Sequence, residues 1–519
     1  MRATYSLRAI ALLLGFAAVG FITGCTNDEI VFVERPPFND PADAASGFVG
    51  YYTSATKQTT CGNCHADFQA GWKETGHAEA YATLKANAGA QAFCYSCHTV
   101  TERGNAETGV IGHDKVQDST YYDVQCESCH GPGLEHIQGV TQGQIVRPLA
   151  RIGVGPDTSS GCAACHTGTH HPFVEEWSLS GHAVTFPAAE AGNASCTPCH
   201  EARGAIKAWG VESNYSEREQ TEFQPVATCA TCHNPHGSPN SANLRWSISD
   251  PEPSRNLCMK CHDRRTQPTP GSSRGNAPHA PQGSVLMGDA GYRAAGFTYD
   301  TATVFASHSS TRNPRLCAGC HVNQYTINDP ASGNFVFQVH GHTFLAAPCV
   351  DTQGIPTGST DCAYTTAARE FSACAGSGCH ASTTVALNAL LNSRDRIEQL
   401  AATIWVDGDN DETVDVPPTD QGYLPTIKAT IPGELNPSDS RVSPADGAEF
   451  NLKLCAERYA NGDKSKGVHN PFLCEALLRA NIDELRASYG LPSPPLAVLQ
   501  MLKEPLGGVK AKAVRISQR

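Results

Sequence analysis

Cysteine and histidine carry the chemistry of this 519-residue chain, which has 23 Cys and 21 His. Eight times, two cysteines three positions apart are followed at once by histidine: Cys61, Cys64 and His65; Cys94, Cys97 and His98; Cys126, Cys129 and His130; Cys162, Cys165 and His166; Cys196, Cys199 and His200; Cys229, Cys232 and His233; Cys258, Cys261 and His262; and Cys317, Cys320 and His321. Two thiols at this spacing can add to the two vinyl groups of one porphyrin. The adjoining imidazole then lies where it can bind the iron from one face, the attachment pattern of heme c. A bare C-x-x-C also serves zinc and thiol redox chemistry, but eight copies, each followed by His, favour heme. Cys374, Cys379 and His380 form a ninth, wider version. Its small Ala-Gly-Ser-Gly loop can bulge away from a porphyrin edge; the alternative is a disulfide at Cys374. About nine heme c groups are expected.

What occupies the second face of each iron separates an electron carrier from a catalyst, because a second His closes the coordination and an open position admits substrate. Nine histidines belong to the motifs, so 12 remain for nine irons. His77 lies in Trp72-Lys73-Glu74-Thr75-Gly76-His77-Ala78, and His182 in the matching Trp177-Ser178-Leu179-Ser180-Gly181-His182-Ala183, as if one local unit were used twice. His136 follows the third motif, and His236 sits in a Pro-His-Gly turn after the sixth. These four, with His279, His308, His113 and His469, are the expected second ligands. His170/His171 and His340/His342 are each expected to supply one ligand per pair.

The elements that must position these groups are sparse. Residues 1–24 read as an export signal, with Arg2 and Arg8 before an apolar run from Ala9 to Ile22 that is short for a membrane span. Ile22-Thr23-Gly24-Cys25 has the form of a lipobox, which would make a lipidated Cys25 the membrane anchor. Loss of the two signal arginines leaves 36 basic against 51 acidic residues, a net charge of −15. That charge argues against nucleic acid and suits a basic or metal-bearing redox partner, or an extracellular acceptor; the alternative is that it only keeps an exported protein soluble. Residues 25–58, with Pro36, Pro37 and Pro41, are expected to be a linker. Residues 59–265 carry seven motifs at intervals of 29 to 36 residues. A segment that rich in Gly and Pro must use its hemes as the core. Residues 266–315 form a heme-free insert, and 316–380 hold two motifs with a disulfide expected between Cys349 and Cys362. Residues 381–519 are helical. Leu387, Leu390, Leu391, Ile397, Leu400 and Ile404 share one face, and an acidic loop runs from Asp407 to Asp415. Helices are expected at Ala445–Tyr459 and Pro471–Tyr489, the second between an Asn470 cap and a Gly490 stop, with Cys455 and Cys474 stapling them. The fold class is mostly α with extensive irregular loops and a C-terminal helical hairpin.

The stretch from Cys61 to His136, with its W-x-x-x-x-H-A unit, its Cys126-Glu127-Ser128-Cys129-His130-Gly131-Pro132-Gly133 run and the downstream His, resembles the multiheme cytochrome superfamily that contains the tetraheme cytochromes of hydroxylamine oxidation. The Gly467-Val468-His469-Asn470-Pro471 turn is similar to the C-terminal region of pentaheme nitrite reductases and octaheme reductases. The resemblance implies a multiheme cytochrome c fold with hemes in alternating stacked and perpendicular pairs. Extracellular lipoprotein cytochromes of metal-reducing bacteria are built from the same parts. No C-x-x-C-K motif of the ammonia-forming enzymes is present, and no catalytic residue is assigned. The expected function is electron transfer by an exported protein, lipid-anchored at the periplasmic or cell-surface face of the outer membrane. The alternatives are an oxidoreductase with one open heme acting on nitrite, hydroxylamine or a sulfur compound, and a homo-oligomeric conducting filament.

Overall fold

The computed structural model describes residues 47–503, apart from 106, 108, 144–160, 185–192, 212–225, 273, 296–306, 310–311, 377–378, 457–458 and 460. Up to residue 380 the chain turns more than it runs. The motifs themselves form tight single turns, such as Cys126–His130 and Cys317–His321. In them the His N–H donates to the carbonyl of the first Cys, at 3.0 Å for His65 to Cys61 and 2.9 Å for His166 to Cys162. This i→i−4 bond sets both thiols and the imidazole close together. In the wide motif His380 N reaches the Cys374 carbonyl at 3.2 Å, so the longer loop closes in the same way.

Between the motifs lie short helices: α1 (Ala66–Lys73), α2 (Ala80–Ala86), α3 (Leu134–Thr141), α4 (Phe173–Ser178), α5 (Ala202–Ala208) and α6 (Gln282–Met287). Two antiparallel pairs complete this part: β1 (Tyr51–Thr53) with β2 (Gln58–Thr59), and β3 (Tyr325–Asn328) with β4 (Phe335–Val339), where Tyr325 faces Val339. Its buried apolar groups are small and separate, such as Phe48, Val100, Ile111 and Tyr121, or Met259, Leu286 and Leu316. Among the described residues this part has no continuous core of its own, as its composition predicts. The body starts earlier than the expected linker boundary at 58. Phe48 is fully buried, and the Glu127 carboxylate accepts the N–H groups of Val49, Gly50 and Gly133 at 2.7–3.0 Å.

After residue 382 the chain builds an ordinary apolar core from α7 (Thr383–Ile404), α8 (Tyr423–Thr430), α9 (Pro444–Cys455), α10 (Pro471–Tyr489) and α11 (Leu496–Lys503). Caps set the limits of these helices. Ser382 accepts from Val385 N, Ser443 and Asp446 form a capping box, and Asn470 accepts from Leu473 N. Gly490 stops α10 in the left-handed region, as expected. Leu400, Ile404, Leu424, Leu452, Leu477 and Ile482 are among the residues that fill the centre. Val285 and Ala290 of the insert join them, and Asn451 holds both backbone groups of Tyr292 at 2.7 and 2.9 Å. Arg396 on α7 makes a two-bond pair with Glu475 on α10 at 2.7 and 2.9 Å. The Cys349–Cys362 disulfide is present. The expected Cys455–Cys474 staple is not: both thiols are buried but unbonded, and α9 and α10 are joined by apolar packing and by Asn451 Nδ2 donating to Asn481 Oδ1 at 2.7 Å.

Candidate functional site

The one disulfide among the described residues, Cys349–Cys362, lies outside the motifs, so none of the eighteen motif cysteines is held in one. The thiols are therefore available for thioether bonds. The imidazoles give a sharper test. With metal–nitrogen bonds of about 2.0 Å, two imidazoles on opposite sides of one metal have ring centres roughly 6.2 Å apart. Eight motif histidines have a second histidine ring at that spacing. The pairs are His65–His136 at 6.4 Å, His130–His236 at 6.1 Å, His166–His77 at 6.2 Å and His200–His279 at 6.2 Å. They continue with His233–His342 at 6.3 Å, His262–His182 at 6.0 Å, His321–His469 at 6.0 Å and His380–His308 at 6.3 Å. Eight spacings within 0.4 Å of one another leave room for one atom between each pair and fit an iron held from both faces.

The rings are also oriented for this. Backbone carbonyls tie up Nδ1 of His98 (Ala80, 2.9 Å), His233 (Ala242, 2.7 Å), His308 (Val468, 2.6 Å) and His321 (Phe344, 2.8 Å), which leaves Nε2 as the ligating atom. Nδ1 of His469 meets the buried Asp463 carboxylate at 2.6 Å. Burial alone would lower the pKa of His469, but Asp463 outweighs it and the net direction is up. Elsewhere burial and then a facing imidazole lower the pKa to about 4, at His166 (with His77), His130 (with His236), His182 (with His262) and His342 (with His233). These rings stay neutral, the form that binds a metal. Backbone contacts fix the loops that carry them. Gly71 of α1 and Gly237, next to His236, lie so close that a Cβ on either would come within 2.4 Å of a backbone oxygen across the contact. Glu176 on α4 accepts the N–H groups of His340 and His342 at 2.8 and 2.6 Å.

Of the expected second ligands, His77, His136, His182, His236, His279, His308 and His469 stand opposite motif histidines. His113 does not. It is buried among Tyr95, Tyr122 and Tyr81, with ring centres 5.6–6.4 Å away. Within the His340/His342 pair, His342 faces His233, whereas His340 stacks on Phe173 at 4.0 Å. His170 lies flat on Phe335 at 4.4 Å. Outside the motifs, the carboxylates of Asp407, Asp409 and Asp420 lie within 4.8 Å of one another, as do those of Asp409, Asp411 and Asp415. Oxygen donors of that kind suit a hard cation, not a heme.

Residues 60–131 match the family model of cytochrome c554 and c-prime, and residues 224–267 match that of the doubled CXXCH motif. This chain is a multiheme c-type cytochrome. The cytochrome is similar to C-type polyheme cytochrome OmcC of Geobacter sulfurreducens, at 27% identity over 296 residues, which is 48% of this chain and 37% of that protein. Multiheme cytochrome MtrA of Shewanella baltica is 26% identical over 256 residues, 46% of this chain and 69% of that protein. C-type polyheme cytochrome OmcB of Geobacter sulfurreducens is 27% identical over 291 residues, 50% of this chain and 35% of that protein. The cytochrome thus spans well under half the length of the two polyheme relatives. No solved structure matches it. The family agrees with the donor set, two thiols and one imidazole in each of the nine motifs and a second imidazole opposite eight of them. Heme c, when bound, supplies reversible one-electron chemistry.

Proposed function

We propose that this cytochrome is an exported electron conduit that holds nine heme c groups, each ligated on both faces by histidine. The observation that carries the reading is the set of eight facing imidazole pairs at 6.0–6.4 Å. One of them, His380–His308, belongs to the wide motif and supports counting Cys374 and Cys379 as a ninth attachment site. The chain's part is to fix spacing, close both faces of each iron against substrate and surround the sites with a low-dielectric shell. Electrons pass between a membrane or periplasmic partner and a periplasmic or extracellular acceptor, and the acidic chain suits a basic or metal-bearing surface.

Cys25 lies outside the described residues; lipidation there anchors the protein to the outer membrane in this reading. No described helix is long and apolar enough to cross a membrane. Quantitation of heme against protein, with low-temperature EPR of the oxidised form, tests the proposal: nine hemes per chain, all low-spin, are expected. A high-spin signal that responds to nitrite or hydroxylamine would refute closed coordination. It would favour an enzyme with its open iron at His98, the one motif histidine with no described ring at the pair spacing.

A further inference from the structure

The nine sites, numbered by motif from site 1 (Cys61) to site 9 (Cys374), repeat in threes. The first thiols of sites 1 and 3, Cys61 and Cys126, touch, and so do the first thiols of sites 4 and 6, Cys162 and Cys229. The second thiols of sites 2 and 4, Cys97 and Cys165, touch, and so do those of sites 5 and 7, Cys199 and Cys261.

The surroundings repeat with them. Trp72 Nε1 donates to the Val124 carbonyl at 2.9 Å, and Val124 N donates to the His77 carbonyl at 3.1 Å. Trp177 Nε1 donates to the Ala227 carbonyl at 2.9 Å, and Ala227 N donates to the His182 carbonyl at 3.2 Å. Val124 and Ala227 each stand two residues before the first Cys of sites 3 and 6. Phe68 lies 6.3 Å from His65 and 4.7 Å from His236, the rings of sites 1 and 3. Phe173 lies 5.3 Å from His166 and 5.1 Å from His342, the rings of sites 4 and 6. A shift of three motifs carries sites 1–4 onto sites 4–7.

A third copy is shorter. Cys258 touches Cys317, again first thiol to first thiol, so site 8 takes the place held by sites 3 and 6. The 266–315 insert falls where sites 2 and 5 fall in the earlier copies. The facing rings obey the same shift. His77 follows motif 1 and faces site 4, His182 follows motif 4 and faces site 7, and His308 follows motif 7 and faces site 9. His279, which follows motif 7, faces site 5; the shift then puts the ligand of site 2 after motif 4, where His170 and His171 stand. His170 is spent on Phe335, and His113 is enclosed by tyrosines.

We infer that the sites form a seven-membered spine in the order 1, 3, 4, 6, 7, 8, 9, with sites 2 and 5 as side stations off sites 4 and 7, and that His171 closes site 2. The inference rests on the nine-heme reading above. Each thiol bonds at a porphyrin edge, so touching thiols of two motifs bring two edges together. The other steps have their own contacts. Gly104, at φ +90°, is wedged between sites 3 and 4: its carbonyl accepts Gly161 N at 2.9 Å, and an added Cβ would meet the Ser128 oxygen at 2.5 Å. Sites 6 and 7 are tied by Arg245 N to the Cys232 carbonyl at 2.8 Å and Leu257 N to the Ser247 carbonyl at 2.9 Å. Asn323 and Ser372 join the segments of sites 8 and 9 at 2.8 Å. A cavity of about 390 Å³ beside Cys97 and Cys165 extends to Thr167, four residues before His171. Such a molecule has four ends rather than two, and the two side stations give it contacts for redox partners along its length.

Iron positions in the holoprotein, located by anomalous X-ray scattering, test this. Site 2 should have site 4 as its single close neighbour, and site 5 should have site 7. An iron of site 2 or 5 lying between two spine irons would overturn the order. Absence of one of the nine irons would instead refute the nine-heme reading, and the order of the remainder still decides this one. His171→Ala should turn roughly one ninth of the low-spin heme high-spin and His113→Ala none. The reverse result would remove His171 from the assignment.

Discussion

Replacing His342 by alanine should open one iron and leave the other eight closed. His342 stands 6.3 Å from His233, ring centre to ring centre, and its neighbour His340 is turned away onto Phe173, with Nε2 3.3 Å from the His170 carbonyl. The turn that carries both is held through backbone N–H groups by Glu176, and these bonds survive loss of the imidazole. Phe173 and Phe344, 5.1 and 5.5 Å from the His342 ring, flank the space it vacates. His342→Ala should therefore fold and keep its heme, with His340 unable to swing across. The magnitude is set by stoichiometry: one site in nine, so roughly one ninth of the heme becomes high-spin, and the reduced protein gains one carbon monoxide site per chain. Magnetic circular dichroism and carbon monoxide titration read both quantities. His340→Ala is the matched control and should give neither. Carbon monoxide binding in the His340 variant, or a fully low-spin His342 variant, would refute the assignment of the ring pairs.

Cys374→Ala with Cys379→Ala should lower the heme content from nine to eight per chain, read by quantitation of heme against protein; an unchanged ratio would mean that the wide motif attaches nothing. Glu475→Ala removes the buried carboxylate that both Arg396 and Arg479 bond. Loss of a buried pair of this kind costs about 3 kcal/mol, so amide exchange in α7 and α10 should speed up roughly hundredfold where those helices open independently; a change under about fivefold would show the pair to be dispensable. Asn470→Ala removes the side-chain acceptor at Leu473 N and should weaken the first turn of α10 by about 1 kcal/mol, seen as faster exchange confined to that turn.

Much of the molecule was legible because its chemistry is local. Attachment of heme c needs two thiols and an imidazole within five residues, so the eight C-x-x-C-H motifs are visible from spacing alone, and the wider one at Cys374 offers the same groups around a longer loop. The helix limits at Asn470 and Gly490 were equally local, being set by caps. The match of Trp72–His77 with Trp177–His182 was a visible trace of the internal repeat, although the intervening sequence carries no other clear copy. The misreadings were all questions of distance in space. His113 had the right residue type but sits in a tyrosine pocket. His342 looked no better than His340 until Glu176 and Phe173 set the turn between them. Cys455 and Cys474 meet as expected but remain unbonded. Residues 47–58 looked like linker because nothing in them signals that Phe48 is buried against Val100, Ile111 and Tyr121.

The sequence by itself determined the donor groups that each motif offers, two thiols and an imidazole. Covalent attachment depends on bonded neighbours, and no tertiary contact is needed to bring two cysteines and a histidine of one motif together. Only the tertiary structure decided which histidine faces which motif histidine. The facing ring comes from up to 148 residues away, as with His321 and His469, and from a different motif's flanking loop in every pair. That choice is made by backbone contacts such as Gly71 against Gly237, whose identity no spacing rule contains. The same contacts set the sites in space, and with them the route that electrons can take.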